Sequence, residues 1–473
     1  MNFYRPLGST GLHCHALGFG CYRIMEGDPD HESALRQYLG RGGNLIDTSA
    51  NYGDGVSEQL VGKVLRDYDR GKIILVTKGG YIQGRNMRLA EERHFPEVVE
   101  YGPGIWHAIH PEFLETQIEL SLARLDQAHA DVYLLHNPEY FLEDISHRRD
   151  LTPADHGEFY RRVREAFRYL ETQVAAGRIR WYGVSSNNFP RPAFQGGDEP
   201  TTMTSVARCL EEARAITPDH HFRVVQLPLN LYETGGALEP NNAGQTVLEF
   251  CAAHGIGVLA NRPLNAFVDD QLIRLADCAA PGTPMPTPGG LREKLVPLAR
   301  HEVKFRALFD DRVRLETGEP ASELLLRIVT VVQSSSQWQR IGPQRAIQPI
   351  QTWLHDTRQA RSEAPGWRQW ESEFVEIVNA ALGDIRDYLN AREQSAADRI
   401  RAKLQKAGYP KNDDSLSRLA LRTLAGLEGA SCVLVGMRQP AYVDDAMGIT
   451  EMEPLDGLEI LRKFGDSVPQ FTG

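Results

Sequence analysis

The chain has 473 residues, more than one ordinary domain core holds but suited to one large barrel carrying an insertion. With 41% hydrophobic and 24% charged residues, a folded soluble protein is expected. A formal net charge of -11 argues against a nucleic-acid surface, which needs clustered Lys and Arg.

Six cysteines, Cys14, Cys21, Cys209, Cys251, Cys278 and Cys432, are scattered without a Cys-x-x-Cys pair. They read as reduced thiols of a cytosolic protein. The first residues, Met-Asn-Phe-Tyr-Arg-Pro, lack the basic-then-apolar layout of a signal peptide. No apolar run approaches the roughly 20 residues a membrane helix needs. A cytoplasmic protein without membrane or nucleic-acid partners is expected.

Residues 3–20 predict a short hairpin and then a strand, with Gly8 and Gly11 punctuating the turn. A helix over 30–39 stops at Gly40, Gly42 and Gly43. The strand 44–48 contains Leu45 and Ile46 and ends at Asp47; Tyr52 and Gly53 follow on the next loop. Ser57 is placed to cap a helix whose Leu60, Val61, Val64 and Leu65 share one face. The unalternating run 73–77 suits a strand buried on both faces of a parallel sheet and ends at Lys78. Residues 79–109, rich in Gly, Arg and Glu, read as a long loop.

Pro111 opens a helix to about 125, striped by Phe113, Leu114, Ile118, Leu122 and Leu125. The strand 131–135 runs into His136. A polar loop over 139–157 precedes a helix over 159–176, and the strand 181–184 ends at Ser185 and Ser186. Further helix and strand pairs follow: 204–215 with 222–227, which holds Gln226, and 246–254 with 256–260, which ends at Asn261 and Arg262.

The proline- and glycine-rich stretch 281–290 breaks the rhythm. Beyond it, 324–332 is apolar nearly all round and reads as a buried helix. Trp367, Trp370, Phe374, Ile377, Ala381, Ile385 and Tyr388 recur at helical spacing. Four of the six tryptophans fall between 338 and 370, which predicts a separate small core. Polar character returns at 410–414. A helix over 415–427 and a strand over 432–435, closed by Gly436, Met437 and Arg438, complete the chain's pattern.

About eight strands alternating with helices predict a (β/α)8 barrel with a long helical insertion between the seventh and eighth strands. The expected divisions are 1–266 for the first seven strands with the catalytic and nicotinamide sites, 267–414 for the insertion, and 415–473 for the last unit and tail. Active sites of such barrels lie at the C-terminal strand ends, which here carry Asp47, Lys78, His136, Ser185, Gln226 and Arg262.

A free tyrosine titrates near 10, at about the value of a phenol in water. A lysine ammonium beside Tyr52 favours the phenolate, and Asp47 neutralises Lys78. The expected result is a phenol that exchanges protons near neutral pH, with His136 orienting a substrate oxygen. That is what carbonyl reduction requires, and since no side chain supplies hydride, a cofactor is implied.

These residues resemble the aldo-keto reductase family. Leu7-Gly8, Thr10-Gly11-Leu12 and Leu17-Gly18-Phe19-Gly20 are similar to its N-terminal hairpin and first strand, and Asp47, Tyr52, Lys78 and His136 match its catalytic tetrad in order. The resemblance covers roughly 1–266 and 415–450. It implies that Ser185, Ser186 and Gln226 bind the nicotinamide carboxamide, and that Asn261 and Arg262 belong to the seventh-strand cofactor motif. Gly436 and Arg438 stand at its phosphate motif, and Asp445 where an acidic residue meets the adenosine end. Asn261 replaces a tyrosine that commonly stacks on the nicotinamide. Arg438 replaces a lysine-containing motif and favours NADP over NAD. The segment 267–414 has no counterpart in ordinary members.

The implied activity is NAD(P)(H)-dependent interconversion of a carbonyl (aldehyde, ketone or sugar) and an alcohol, with Tyr52 as general acid/base. The alternative is a cofactor-binding, redox-sensing regulatory subunit with little turnover. The insertion offers a route to oligomers. A metal site is not expected: His13-Cys14-His15 resembles a ligand run, but neighbours on a strand point to opposite faces.

Overall fold

Eight short apolar runs form a closed parallel barrel in chain order: β1 (Leu17–Gly20), β2 (Leu45–Asp47), β3 (Ile74–Gly79), β4 (Ala130–His136), β5 (Ile179–Ser185), β6 (Phe222–Pro228), β7 (Gly257–Asn261) and β8 (Cys432–Val435). The computed structural model describes residues 3–192, 201–268, 271–332, 334–409 and 414–466. The predicted barrel is therefore present. Its unalternating strands have their reason in the packing: β3, β4 and β8 are buried at every residue, inward against the barrel core and outward against helices. Leu45, Ile74, Val76, Val132, Leu134, Val224, Leu259, Cys432 and Leu434 fill the interior, and the antiparallel pair Tyr4–Pro6 and His13–His15 lies beside it with Leu7 and Cys14 in the same cluster. His15 and Cys14 are buried and His13 is exposed; the His15 ring accepts from Leu17 N–H at 3.0 Å, so this run is a structural hairpin strand.

Each pair of successive barrel strands is joined through an α-helix that is the last before the second strand of the pair: Pro29–Gly40, Val56–Leu65, Pro111–Leu125, Pro153–Ala175, Val206–Arg214, Val247–Ala253 and Leu416–Ala425; several of these connections hold further helices. Three local expectations are corrected. Ser57 is not a cap: Gly55, at φ 92°, precedes the helix Val56–Leu65, and the Ser57 hydroxyl instead donates to Cys21 O at 3.1 Å and pairs with Thr48 Oγ1 at 3.0 Å. The polar stretch 139–157 holds the helix Tyr140–Ser146, and the next helix starts at Pro153 because Thr152 and Asp155 form a capping box. The stretch 79–109 is not a loop. It contains the strands Tyr81–Ile82, Val99–Gly102 and Ile105–His107 in a three-stranded antiparallel sheet, and the helix Arg85–Arg93. Ile82, Ala90, Phe95, Ala108 and Phe113 give this excursion its own small core, against which Trp106 packs.

The chain divides into two compact units, 1–275 with 404–473, and 276–403. The boundaries fall inside the expected 267–414 segment because the hairpin Asn265–Val268 with Gln271–Arg274 belongs to the barrel unit, where Leu275 N–H donates to Leu264 O at 2.9 Å. Residues 410–413, part of the polar stretch read as the far boundary, lie outside the described residues. The second unit is helical, with Pro288–Phe309, Ala321–Val331, Ser335–Gly342 and Gln348–Arg361 preceding the long helix that begins at Trp367. Trp338, Trp367 and Trp370 are in its core. Trp370 Nε1 donates to His301 O at 3.1 Å while the two rings stack at 4.9 Å. The helix Ala321–Val331 is buried on one face only, through Leu324, Leu325, Ile328 and Val329. Val331 is exposed, contrary to the all-round reading.

Candidate active site

Strand register gathers the polar ends into adjacent rows. Asp47 lies opposite Gly20 and Val76, Lys78 opposite Leu134, His136 opposite Ser185, and Ser185 opposite Gln226. Tyr52 reaches the same region from the loop after β2, where Gly53 and Asp54 adopt left-handed φ values of 58° and 57°.

Lys78 Nζ donates to Asp47 Oδ2 at 2.8 Å, Thr48 O at 2.9 Å and Tyr52 Oη at 3.2 Å. All three of its donors are occupied. Lys78 is fully buried and Asp47 nearly so. Burial pulls the Lys78 pKa down, but Asp47 and Tyr52 overcome that pull and hold the ammonium charged. For Tyr52 burial prevails: its pKa is pushed up to about 12, and Lys78 offsets only part of the rise. The expectation of a phenol titrating near neutrality is thereby corrected. At ordinary pH the Tyr52 phenol is neutral.

His136 is buried, and its pKa is held well below the usual imidazole value by burial and by the charge of Lys78. Its Nδ1 lies 3.0 Å from Ser49 Oγ, and its carbonyl lies 2.7 Å from His107 Nε2. Tyr81 packs edge-on against its ring at 4.7 Å, and the Tyr52 ring is 6.0 Å away. Tyr140 stacks on His107 at 5.5 Å, and its hydroxyl lies 3.3 Å from that of Tyr81. Gly80 is required here. At φ 151° a Cβ there would lie 2.6 Å from His107 Nε2 and 2.9 Å from His136 O. Ser49, Tyr81 and His107 were not singled out by the sequence. Ser49, two residues past Asp47, had position as its signal; Tyr81 and His107 lay in the stretch read as loop.

A second chain of contacts joins the predicted carboxamide residues. Gln226 Nε2 donates to Asp47 Oδ1 at 2.8 Å, while Gln226 Oε1 accepts from Ser185 Oγ at 3.3 Å and Asn261 Nδ2 at 3.2 Å. Both ends of the Gln226 amide thus have protein partners. Asn261 Oδ1, by contrast, is buried without one among the described residues. An orphaned acceptor at this strand end fits an amide donor such as a carboxamide N–H. Ser186 turns away into its loop, with its hydroxyl 2.7 Å from Thr204 Oγ1 and accepting from Asn188 N–H at 3.1 Å. Below it, buried Glu139 accepts from Asn187 N–H at 2.7 Å, and burial raises its pKa to about 8.

The remaining predicted residues occupy other places. Arg262 has a left-handed φ of 54° and donates to Glu233 Oε1 at 2.6 Å, a fold contact. Gly436 is exposed after β8, with open space where a Cβ would sit. Arg438 is half-buried, and burial and the like charges of Arg23 and Arg274 depress its pKa. The Asp445 carboxylate accepts from Ser415 Oγ at 2.6 Å and from Ser417 Oγ, and pairs with Arg418 at 3.2 Å, so it is engaged in holding helix Leu416–Ala425.

The model of the Aldo/keto reductase family matches residues 16–270. The chain is 26% identical over 237 residues to the aldo-keto reductase YhdN of Bacillus subtilis (strain 168), covering 49% of this chain and 54% of that protein. It is 30% identical over 139 residues to the NADH-specific methylglyoxal reductase of Escherichia coli (strain K12), covering 28% of this chain and 40% of that one. The chain spans about half the length of the curated relatives it matches. Among solved structures, the holo form of aldo-keto reductase AKR11C1 from Bacillus halodurans aligns over 97% of this chain and 95% of its own, with 16% identity and a TM-score of 0.48. No described helix is long and apolar enough to cross a membrane.

Proposed function

The chain belongs to the aldo/keto reductase family, and from that premise we propose that it is a nicotinamide-dependent oxidoreductase interconverting a carbonyl (aldehyde, ketone or sugar) and an alcohol. The observation that carries this reading is Lys78, buried and bonded at once to Asp47, Thr48 and Tyr52.

The nicotinamide, when bound, supplies or accepts the hydride. Tyr52, neutral at ordinary pH, gives its proton to the carbonyl oxygen in reduction and takes one back in oxidation. Lys78 stabilises the negative charge that grows on Tyr52 Oη, and Asp47 keeps the ammonium compensated in a site without water-like screening. His136, held neutral, offers a hydrogen bond to the same oxygen. Asn261 Oδ1 would accept from the nicotinamide carboxamide, and Ser185 and Gln226 stand beside it through the Gln226 amide. Arg438, with Arg23 and Arg274 near it, supports NADP over NAD through a 2′-phosphate. The Escherichia coli relative is named for NADH and methylglyoxal, so NADH and small oxo-aldehydes belong in the test panel.

Titration of the full chain with NADPH and with NADH, followed by tryptophan fluorescence, tests the cofactor. NADPH is expected to bind more tightly, with Arg438→Ala removing the difference. Tyr52→Phe is expected to abolish carbonyl reduction and leave nucleotide affinity unchanged. A folded chain that binds neither nucleotide overturns the reading.

A further inference from the structure

Ser49 is 1% exposed, and its hydroxyl meets three groups: Asn51 Oδ1 at 2.8 Å, His136 Nδ1 at 3.0 Å and Lys78 O at 3.4 Å. Asn51 continues outward, its Nδ2 lying 3.3 Å from Gln83 Oε1. On the other side of the ring, His136 Nε2 has no partner among the described residues. We propose that Ser49 is a positioning residue that fixes the tautomer of His136, and that the row Gln83, Asn51, Ser49 transmits one direction of hydrogen bonding to the imidazole so that Nε2–H faces the reacting oxygen. This rests on the reading of the site as a carbonyl reductase.

A neutral imidazole carries one N–H, and a serine hydroxyl has one hydrogen to give. If Ser49 donates to His136 Nδ1, the ring proton must be on Nε2, which then donates. If Ser49 donates instead to Asn51 or to Lys78 O, His136 must donate from Nδ1 to keep its bond to Ser49, and Nε2 is left as a bare acceptor. A half-turn of the Asn51 and Gln83 amides exchanges these two settings and preserves every separation in the row, because amide oxygen and nitrogen trade places. A carbonyl oxygen needs a donor. Reduction therefore requires the first setting, in which Gln83 Nε2 gives to Asn51, Asn51 Nδ2 gives to Ser49, and Ser49 gives to His136.

Ring rotation is not an alternative way to present N–H. His107 holds the His136 carbonyl at 2.7 Å, and Tyr81 and Tyr52 stand edge-on to the ring at 81° and 79°. Packing fixes the ring plane, and the Ser49 Oγ contact to Nδ1 at 3.0 Å selects between the two half-turn orientations that share it, so the tautomer is the remaining variable. A histidine held in the wrong tautomer loses catalytic power even where its position is kept.

The test reads the tautomer directly. In full-length chain labelled with 15N-histidine, with the His136 signals assigned through His136→Asn, the Nδ1 shift is expected to be that of an unprotonated nitrogen and the Nε2 shift that of N–H. Asn51→Asp places an acceptor-only carboxylate beside Ser49 and is expected to move the ring proton to Nδ1. It should lower kcat for carbonyl reduction about 10- to 100-fold with nucleotide Kd unchanged. Ser49→Ala is expected to give mixed tautomers, and Ser49→Thr to retain the wild-type one. Wild-type His136 protonated on Nδ1, or an Asn51→Asp variant with unchanged shifts, overturns the proposal. These outcomes do not depend on Ser49→Ala folding. They are also separate from the function: a folded chain that binds neither NADPH nor NADH removes the reductase reading while the nitrogen shifts stand.

Discussion

Lys78 Nζ lies 3.2 Å from Tyr52 Oη and 4.9 Å from the centre of the same ring, so one ammonium addresses both the oxygen and the face of the phenol. The charge still leaves Tyr52 at about 12, because burial outweighs it. The donor form is therefore present throughout the working range. The rate of the reductive chemical step is expected to be flat from about pH 6 to about pH 10 and to fall only as the phenol ionises. A single-turnover profile with a break near neutrality, surviving in Ser49→Thr and lost in Tyr52→Phe, would place the phenol pKa far lower.

Asp47 and Lys78 form a pair in which neither partner has another ion pair among the described residues. Lys78→Met should destabilise the chain by about 3–5 kcal/mol, since it leaves a buried carboxylate uncompensated. Adding Asp47→Asn should restore most of that loss. Urea midpoints of the two single variants and the double variant close the cycle, and additive losses would show that the pair is not coupled.

Glu139 makes a prediction of opposite sign to most acids. Its pKa rises from 4.5 to about 8, chiefly through burial. The folded chain then holds one more proton than the unfolded chain between those values, so this group lowers stability as pH climbs from about 4.5 to about 8. Glu139→Gln keeps an acceptor for Asn187 N–H and carries no charge. It is expected to be more stable than the parent at pH 9, on the order of 1–3 kcal/mol, with the gap closing at pH 5. Thermal unfolding at the two pH values decides, and a gap that widens toward pH 5 contradicts it.

Gly80→Ala introduces a Cβ at φ 151° into the space between His107 Nε2 and His136 O. A cost of about 1–3 kcal/mol is expected from the backbone alone. Because the intrusion separates the His107–His136 contact, kcat should fall further than nucleotide affinity. Circular dichroism melts with steady-state kinetics measure both, and an unaltered kcat would detach His107 from the site.

The barrel was legible because parallel strands buried on both faces leave continuous apolar runs such as 73–77, and because polar residues at their ends stand out against them. Asp47, Lys78 and His136 stood out that way, and Tyr52 through its place on the loop that follows Asp47. The sheet and helix of 79–109 escaped because strands of two to four residues are too short to show alternation, and the exposed residues between them dominate the composition. His107 and Tyr81 were lost with it. Gln226 illustrates another limit: its position at a strand end was readable, but its amide is turned to Asp47, Ser185 and Asn261 by packing across four strands. The phenol value was misjudged for a similar reason, since a charge partner is visible in sequence and burial is not.

The last stave, Cys432–Val435, pairs with both Leu17–Gly20 and Gly257–Asn261. During synthesis the first seven strands emerge long before it, so β1 and β7 must wait with unpaired edges while the helical segment is made. Open edges of this kind invite pairing with other chains. Closure is a contact of very high sequence separation, which makes it slow. Nascent chains stalled before residue 432 should therefore aggregate or recruit chaperones more than chains stalled a few dozen residues beyond it, and early folding of the helical segment shortens the effective loop that closure must span.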